Sequence, residues 1–344
     1  MGMNNNLLES FNPYRDKVQA TLKDIIDGHP SSLNPILRYH MGWQDENGTP
    51  RREEAGKFIR PILCLLSCQA IGGDISRMLP AAAALELIHN FSLIHDDIQD
   101  ESNERHHQPT VWSLWGRSQA INAGDAMFTL VYLALIKLRE KGISYEIIAG
   151  CTDMLSTACL ELCQGQYLDI EYETRLDITV QDYLEMVAGK TAALIAASTA
   201  LGAYLGSEDE KVINDFRLFG KELGMAFQIG DDILGIWGTK ESTGKSANDI
   251  YKKKKTLPVV YALQYSKGEE WKKLEKLYLK EYIEENDVIQ VMDILNNLSA
   301  REYAQKLAAQ YYYQALEQLD ATGLDKTRQA PLRKIACFLL ERDY

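Results

Sequence analysis

The nine prolines of this 344-residue chain leave one long interval untouched, since none falls between Thr110 and Leu257. An interior proline removes a helical hydrogen bond and clashes with the preceding turn, so this interval permits long uninterrupted helices. Helical spacing fills it: Leu155, Cys159, Leu162 and Cys163 share one stripe, and Leu194, Ile195, Ser198 and Leu201 share another. Alternating runs of strand type are scarce. Gly72-Gly73-Asp74 reads as a turn ahead of a helix running from about Ser76 to beyond Asp100. Thr179 followed by Asp182 reads as a capping box before Tyr183 and Leu184, and Gly206-Ser207 closes that segment. The polar stretch from Trp43 to Glu54 reads as a loop leading into Gly56-Lys57. No short repeat, low-complexity tract or Ser/Pro linker divides the chain. The pattern predicts an all-α fold, one single-domain bundle of long helices over residues 1–344.

Charge narrows the function. Lys and Arg number 37 against 49 Asp and Glu, a net charge of −12, which argues against general nucleic-acid binding because that needs a basic face. With 46% apolar residues at this length, a large core forms and overall disorder is excluded. The charge-free stretch from Thr191 to Gly206 is shorter than the roughly 20 residues a membrane span needs. Neither end carries a targeting or lipidation pattern, so the expectation is a soluble cytoplasmic protein. The cysteines at 64, 68, 151, 159, 163 and 337 show no zinc spacing and are expected as buried reduced thiols.

Two acidic clusters interrupt the apolar pattern. In Ile94-His95-Asp96-Asp97-Ile98-Gln99-Asp100, a helix puts Asp96 and Asp100 on one face with Asp97 flanking them. Like charges at that spacing repel, and the surrounding Leu87, Ile88, Phe91 and Ile94 would make a half-buried position worse. A hard divalent cation such as Mg2+, with oxygen ligands and retained waters, relieves the repulsion; a solvated helix end is the other reading. The second cluster is Gln228-Ile229-Gly230-Asp231-Asp232, followed by Lys245 and by Lys252 to Lys255 ahead of Thr256-Leu257-Pro258. Four adjacent lysines alone make a solvated turn. Together with paired aspartates they suit a polyphosphate, with metals bridging anion to anion and lysines neutralising the remainder. No Walker loop, no GxGxxG after a strand and no evident Ser-His-Asp or Cys-His arrangement is present.

These residues resemble the trans-isoprenyl diphosphate synthases, which include farnesyl and geranylgeranyl diphosphate synthases. The ordered landmarks are Gly56-Lys57-Phe58-Ile59-Arg60-Pro61, Leu87-Ile88-His89, Asp96-Asp97-Ile98-Gln99-Asp100 with Arg105, and Gly165-Gln166 with Asp169. Gly189-Lys190-Thr191, Phe227 to Asp232, Gly244-Lys245 with Asp249, and Lys254 with Thr256-Leu257-Pro258 complete the series. The resemblance implies an all-α bundle around a deep central cavity, a homodimer, and three Mg2+ ions. It also implies head-to-tail prenyl transfer from an allylic diphosphate (dimethylallyl, geranyl or farnesyl) to isopentenyl diphosphate.

By the same resemblance Asp96, Asp100 and Asp231 are metal ligands, with Asp97 and Asp232 flanking or acting through water. Arg105, Lys190, Lys245 and Lys254 hold the allylic diphosphate, and Lys57, Arg60 and His89 hold isopentenyl diphosphate. Thr191 and Gln228 face the carbocation with oxygen lone pairs. Lys252, Lys253 and Lys255 are expected in solvent. Three positions depart from the family pattern. His106 stands where an arginine usually binds diphosphate, Gly235 replaces the third aspartate of the second motif, and Ala247 stands where glycine is common. Geranylgeranyl diphosphate is the expected product and farnesyl diphosphate the nearest alternative. The resemblance implies that Phe91 forms the floor that stops elongation, an ordinary core phenylalanine being the other reading, and Ser92 is too small to block the tail. The competing readings are a terpene cyclase or coupling enzyme using the same ionisation, and a non-catalytic partner subunit.

Overall fold

A computed structural model describes residues 9–51, 56–105, 108–238 and 247–340. The helices are α1 (Asn12–Asp27), α2 (Asn34–His40), α3 (Ile59–Ala70), α4 (Ile75–Gln99), α5 (Val111–Ile136), α6 (Tyr145–Tyr172), α7 (Val180–Val187), α8 (Ala193–Tyr204) and α9 (Glu210–Trp237). They continue as α10 (Asn248–Tyr251), α11 (Leu257–Tyr265), α12 (Gly268–Tyr278), α13 (Glu285–Asn297), α14 (Ala300–Ala321) and α15 (Lys326–Leu340). A two-residue hairpin, β1 (Glu104–Arg105) against β2 (Gln108–Pro109), is the one sheet among the described residues. The fold is all-α. Its residues divide into two compact units, one reaching to Ser156 and including Leu201–Glu210, the other formed by Thr157–Ala200 and the chain from Lys211 onward.

In the first unit α3 is buried along most of its length, with Leu63, Cys64 and Leu65 fully enclosed, and α4 packs a run of buried alanines, Ala81 to Ala84. Small residues let these helices approach closely. On α5, a Cβ at Gly124 would lie 2.2 Å from His95 Nε2, so any larger residue would displace that imidazole. Asp74 caps α4, its Oδ1 accepting from Ser76 N at 2.9 Å. The helix ends at Gln99, one residue short of Asp100 and not beyond it as the sequence suggested. Glu101 adopts a left-handed conformation (φ +49°) and Ser102 N donates back to Asp97 O at 3.0 Å, closing the helix.

In the second unit the expected capping box is present. Thr179 Oγ1 accepts from Asp182 N and Thr179 N donates to Asp182 Oδ2, at 3.2 and 2.7 Å. The helix it starts is not continuous to Gly206: a π-helical turn, Ala188–Ala192, separates α7 from α8. That turn lies where α6 crosses at backbone contact. A Cβ on Gly165 would stand 2.0 Å from Lys190 N and 2.6 Å from Lys190 Cα, and one on Gly189 would stand 2.7 Å from Glu161 O. The segment Val180–Tyr204 is long and apolar enough to cross a membrane, but 83% of its most apolar window is buried within the protein; Val111–Lys141 also passes on length and composition, with 44% buried.

Cys64, Cys68, Cys151 and Cys159 are buried as expected, whereas Cys163 is exposed and Cys337 half-buried. Cys163 follows Leu162 by one position, about 100° around the helix, and so falls past the edge of the buried stripe.

The α6 crossing is tight enough to test. Gly165→Ala forces a methyl into backbone and should cost about 1–3 kcal/mol, the usual penalty of overpacking, read as a lower guanidinium midpoint at unchanged slope. An unaltered midpoint would show that the crossing is looser than described.

Candidate active site

In the first unit the closing turn of α4 leaves three carboxylates in different environments. Asp97 is buried, Asp96 half-buried and Asp100 exposed. The hairpin returns Arg105 onto this helix end, donating from Nε to Asp97 Oδ1 at 2.9 Å and from Nη2 to Asp96 Oδ2 at 3.2 Å. Burial raises the Asp97 carboxyl above its usual range, and Arg105 pulls it back. Ser102 O, which accepts from Thr110 Oγ1 and Trp112 Nε1 at 2.8 Å each, pins the chain between helix and hairpin. Arg105, expected at a diphosphate, thus already rests on two of the motif's aspartates.

The basic segment before α3 is strained. Phe58 is buried with a left-handed backbone (φ +53°, ψ +33°), costly for an aromatic residue, and it lies between the exposed Lys57 and the half-buried Arg60. Behind them Glu86 is buried, its Oε1 accepting from Asn90 Nδ2 at 3.1 Å. Burial pushes Glu86 up to about 7, against the opposing pull of Arg60 and Asn90. His40 is half-buried nearby with its Nε2 enclosed, and is pushed down to about 4 by burial, with the Arg105 charge adding to the effect. His89 is half-buried one turn beyond Glu86.

In the second unit a chain of hydrogen bonds runs from the π turn to α9. Thr191 Oγ1 donates to Gln228 Oε1 at 2.8 Å, and Gln228 Nε2 donates to Asp232 Oδ1 at 3.0 Å. Asp232 Oδ2 accepts from Tyr183 Oη at 2.6 Å and from Leu257 N at 2.8 Å. Because Thr191 spends its proton on Gln228, the lone pairs of its hydroxyl stay available. Asp232 is buried and raised to about 7 by that burial, while its neighbour Asp231 is half-buried. Lys190, the charge placed in a small-residue segment, pairs through Nζ with Asp169 Oδ2 on α6.

The lysine turn corrects one expectation. Lys252 and Lys254 are exposed and Lys253 Nζ donates to Lys280 O at 2.7 Å, but Lys255 is buried and not in solvent. Its Nζ donates to Glu173 O at 2.8 Å and lies 5.1 Å from the centre of the Tyr278 ring. Burial pushes this amine down to about 8, the Lys253 charge assisting. Ala247 is left-handed (φ +55°), which explains why glycine suits that position. His106 and Lys245 lie outside the described residues.

Near the first motif, Phe91 packs edge-to-face on Phe128 at 5.1 Å, and Phe128 on Tyr132 at 5.4 Å. Phe128 and Tyr132, with Ile88 and Leu155, line a narrow apolar crevice. Ser92 donates to His89 O at 2.8 Å.

Sequence reasoning gave no role to Glu86, His40, Asp169 or Tyr183. Glu86 left a signal, a lone acid inside Ala83-Ala84-Leu85-Glu86-Leu87-Ile88. Asp169 stood among the landmarks and Tyr183 behind the capping box, but nothing local pointed to their partners, which lie 21 and 49 residues away.

The donor set suits Mg2+. Asp96 and Asp100 in the first unit and Asp231 in the second offer oxygen only, and among the described residues no three His, Cys, Asp or Glu side chains come together as a metal-holding group. Mg2+ takes one or two carboxylates and fills its remaining positions with water and substrate phosphate.

Comparison with known proteins identifies the setting. The polyprenyl synthetase family matches residues 49–295. A (2E,6E)-farnesyl diphosphate synthase of Mycobacterium tuberculosis is 34% identical over 330 residues, 94% of this chain and 90% of that protein. A geranylgeranyl diphosphate synthase of the same organism is 41% identical over 254 residues, 74% of this chain and 71% of that protein. Among solved structures, geranylgeranyl pyrophosphate synthase from Corynebacterium glutamicum, complexed with isoprenyl diphosphate and magnesium, superposes with a TM-score of 0.82 at 27% identity, covering 96% of this chain and 98% of that one.

Glu86 gives a test by pH. Its folded pKa lies above that of a free carboxyl, so the native state holds the extra proton. Its contribution to stability is therefore complete below about pH 4.5 and is lost as pH rises through about 7. Glu86→Gln should remove that slope and exceed the wild type at pH 8 by an amount on the order of 3 kcal/mol, measured by denaturant titration across pH. Parallel profiles for the two proteins would contradict the burial.

Proposed function

This chain belongs to the polyprenyl synthetase family of trans-isoprenyl diphosphate synthases and is a prenyltransferase; from that premise we propose that it condenses isopentenyl diphosphate with an allylic diphosphate to a short-chain trans-prenyl diphosphate, chiefly geranylgeranyl diphosphate. The observation that carries this reading is that the family match over residues 49–295 spans every proposed site residue, including the carboxylates at 96, 97, 100, 231 and 232.

In this reading Asp96, Asp100 and Asp231 ligate Mg2+, while Asp97 and Asp232 hold the helix ends in shape through Arg105 and through Tyr183, Gln228 and Leu257 N. When bound, Mg2+ supplies charge neutralisation for the departing diphosphate. Arg105, Lys190, Lys245 and Lys254 complete that neutralisation, and they bind the separated diphosphate more strongly than the intact ester, so the contribution is to the transition state. Asp169 holds the Lys190 ammonium in place until the diphosphate arrives. Thr191 turns its lone pairs to the carbocation, held in that orientation by Gln228. Lys57, Arg60 and His89 hold isopentenyl diphosphate, with His106 as a fourth group and the buried Glu86 carboxyl close to Arg60. The departing diphosphate takes the final proton, so no protein base is needed.

Residues 1–344 act as one catalytic domain, a reading supported by a family match that runs through both compact units. The enzyme works as a homodimer, in keeping with the exposed apolar residues Leu160, Tyr167 and Ile170 along one face of α6. Six free cysteines suit a reducing cytoplasm.

Phe91 sets product length by closing the apolar end of the site through its contacts with Phe128. Chromatography of products from labelled isopentenyl diphosphate and three allylic starters tests both parts of the proposal. The wild type should give mainly a twenty-carbon diphosphate, Phe91→Ala longer products and Ser92→Phe shorter ones. Products formed without isopentenyl diphosphate would indicate a cyclase, and an unchanged distribution in both variants would place the floor elsewhere.

A further inference from the structure

Gly235 stands where the second aspartate motif ordinarily has its third carboxylate, and the structure shows what fills that space. A Cβ built on Gly235 would lie 1.8 Å from Oδ2 of Asp249, 2.6 Å from its Cγ and 3.4 Å from its Cβ. The carboxylate of a residue on α10 thus sits where a side chain on α9 would go, and any residue larger than glycine at 235 expels it.

This contact joins two parts of the chain. Asp249 begins the turn that carries the lysines: Lys254 N donates to Asp249 O at 2.9 Å, and Lys252 N to Asn248 O at 3.1 Å. At the far end of the same turn, Leu257 N donates to Asp232 Oδ2 at 2.8 Å. Asp232 and Gly235 are three residues apart, neighbours on one face of α9, so this face grips the turn at both ends. Lys254 and Lys252 are near enough for their charge to stabilise the Asp249 carboxylate, and Asp232 and the Tyr278 hydroxyl are near enough to feel it.

We propose that Gly235 and Asp249 form a reciprocal pair in which the missing side chain at 235 admits the Asp249 carboxylate, and that Asp249 is a positioning residue which aims Lys254 at the diphosphate. The proposal rests on the reading that Lys254 meets the allylic diphosphate. The glycine makes room for the carboxylate of α10 against α9, and the lysine turn is locked to α9 by the same contact.

The test is a carboxylate exchange in the full-length chain. Binding of inorganic pyrophosphate with Mg2+ is measured by calorimetry, alongside KM and kcat for the allylic diphosphate and the melting temperature. Lys254→Met should weaken pyrophosphate binding at least fivefold. Asp249→Ala, which introduces no clash, should weaken it to a similar degree and raise KM more than it lowers kcat. Gly235→Asp should do the same by driving the two carboxylates together. The double variant Gly235→Asp/Asp249→Ala puts one carboxylate back into the shared space and should return affinity and KM to within twofold of the wild type. The pair is overturned if Lys254→Met weakens binding while Asp249→Ala does not, or if the folded double variant binds no better than either single one. Unchanged affinity in Lys254→Met overturns the reading of Lys254, and the proposal with it.

Discussion

Adjacent carboxylates on a helix repel one another, and both acidic helix ends in this protein solve that problem in the same way. In each pair one aspartate turns inward and is satisfied by the protein, while its neighbour stays partly exposed. Asp97 is enclosed and held by Arg105, with Asp96 and Asp100 further out. Asp232 is enclosed and held by Tyr183, Gln228 and Leu257 N, with Asp231 further out. A step of 100° between consecutive residues makes this division automatic. The inner carboxylate fixes the backbone that presents the outer one, so geometry and charge are settled together.

The cationic groups depend on the same economy of partners. Lys190 would be costly in a segment of small apolar residues without an anion, and Asp169 supplies it from α6. That pairing requires α6 to run against the π turn at backbone distance, which is why Gly165 and Gly189 face one another. The wide turn then offers Thr191 to Gln228 and separates two helices that would otherwise continue straight. π turns of this kind are frequent at functional sites because they re-aim a side chain without ending a helix.

Much of this was legible in the sequence, for reasons that are local. The proline-free interval, the capping box at Thr179 and the spacing of Asp96 and Asp100 each depend on residues within a turn or two of one another. What escaped was tertiary. Lys255 looks like any lysine in a run of four, and only the carbonyl of Glu173 and the ring of Tyr278 draw it inside. The stop of α4 at Gln99 follows from Glu101 taking a conformation that glycine would advertise and glutamate does not. Gly235 read as a lost aspartate until Asp249, fourteen residues on (249 − 235), proved to occupy its place.

The central claim is that the outer carboxylates serve cations and the inner ones serve the fold. Its most direct measurement is the rate of diphosphate release against Mg2+ concentration, with the melting temperature, for the wild type, Asp96→Asn and Asp231→Asn. The account predicts that both variants melt with the wild type yet lose more than tenfold in rate at saturating Mg2+, at least about 1.4 kcal/mol of barrier. A variant that keeps more than about a tenth of the wild-type rate under those conditions, or that loses its rate only by unfolding, would contradict it.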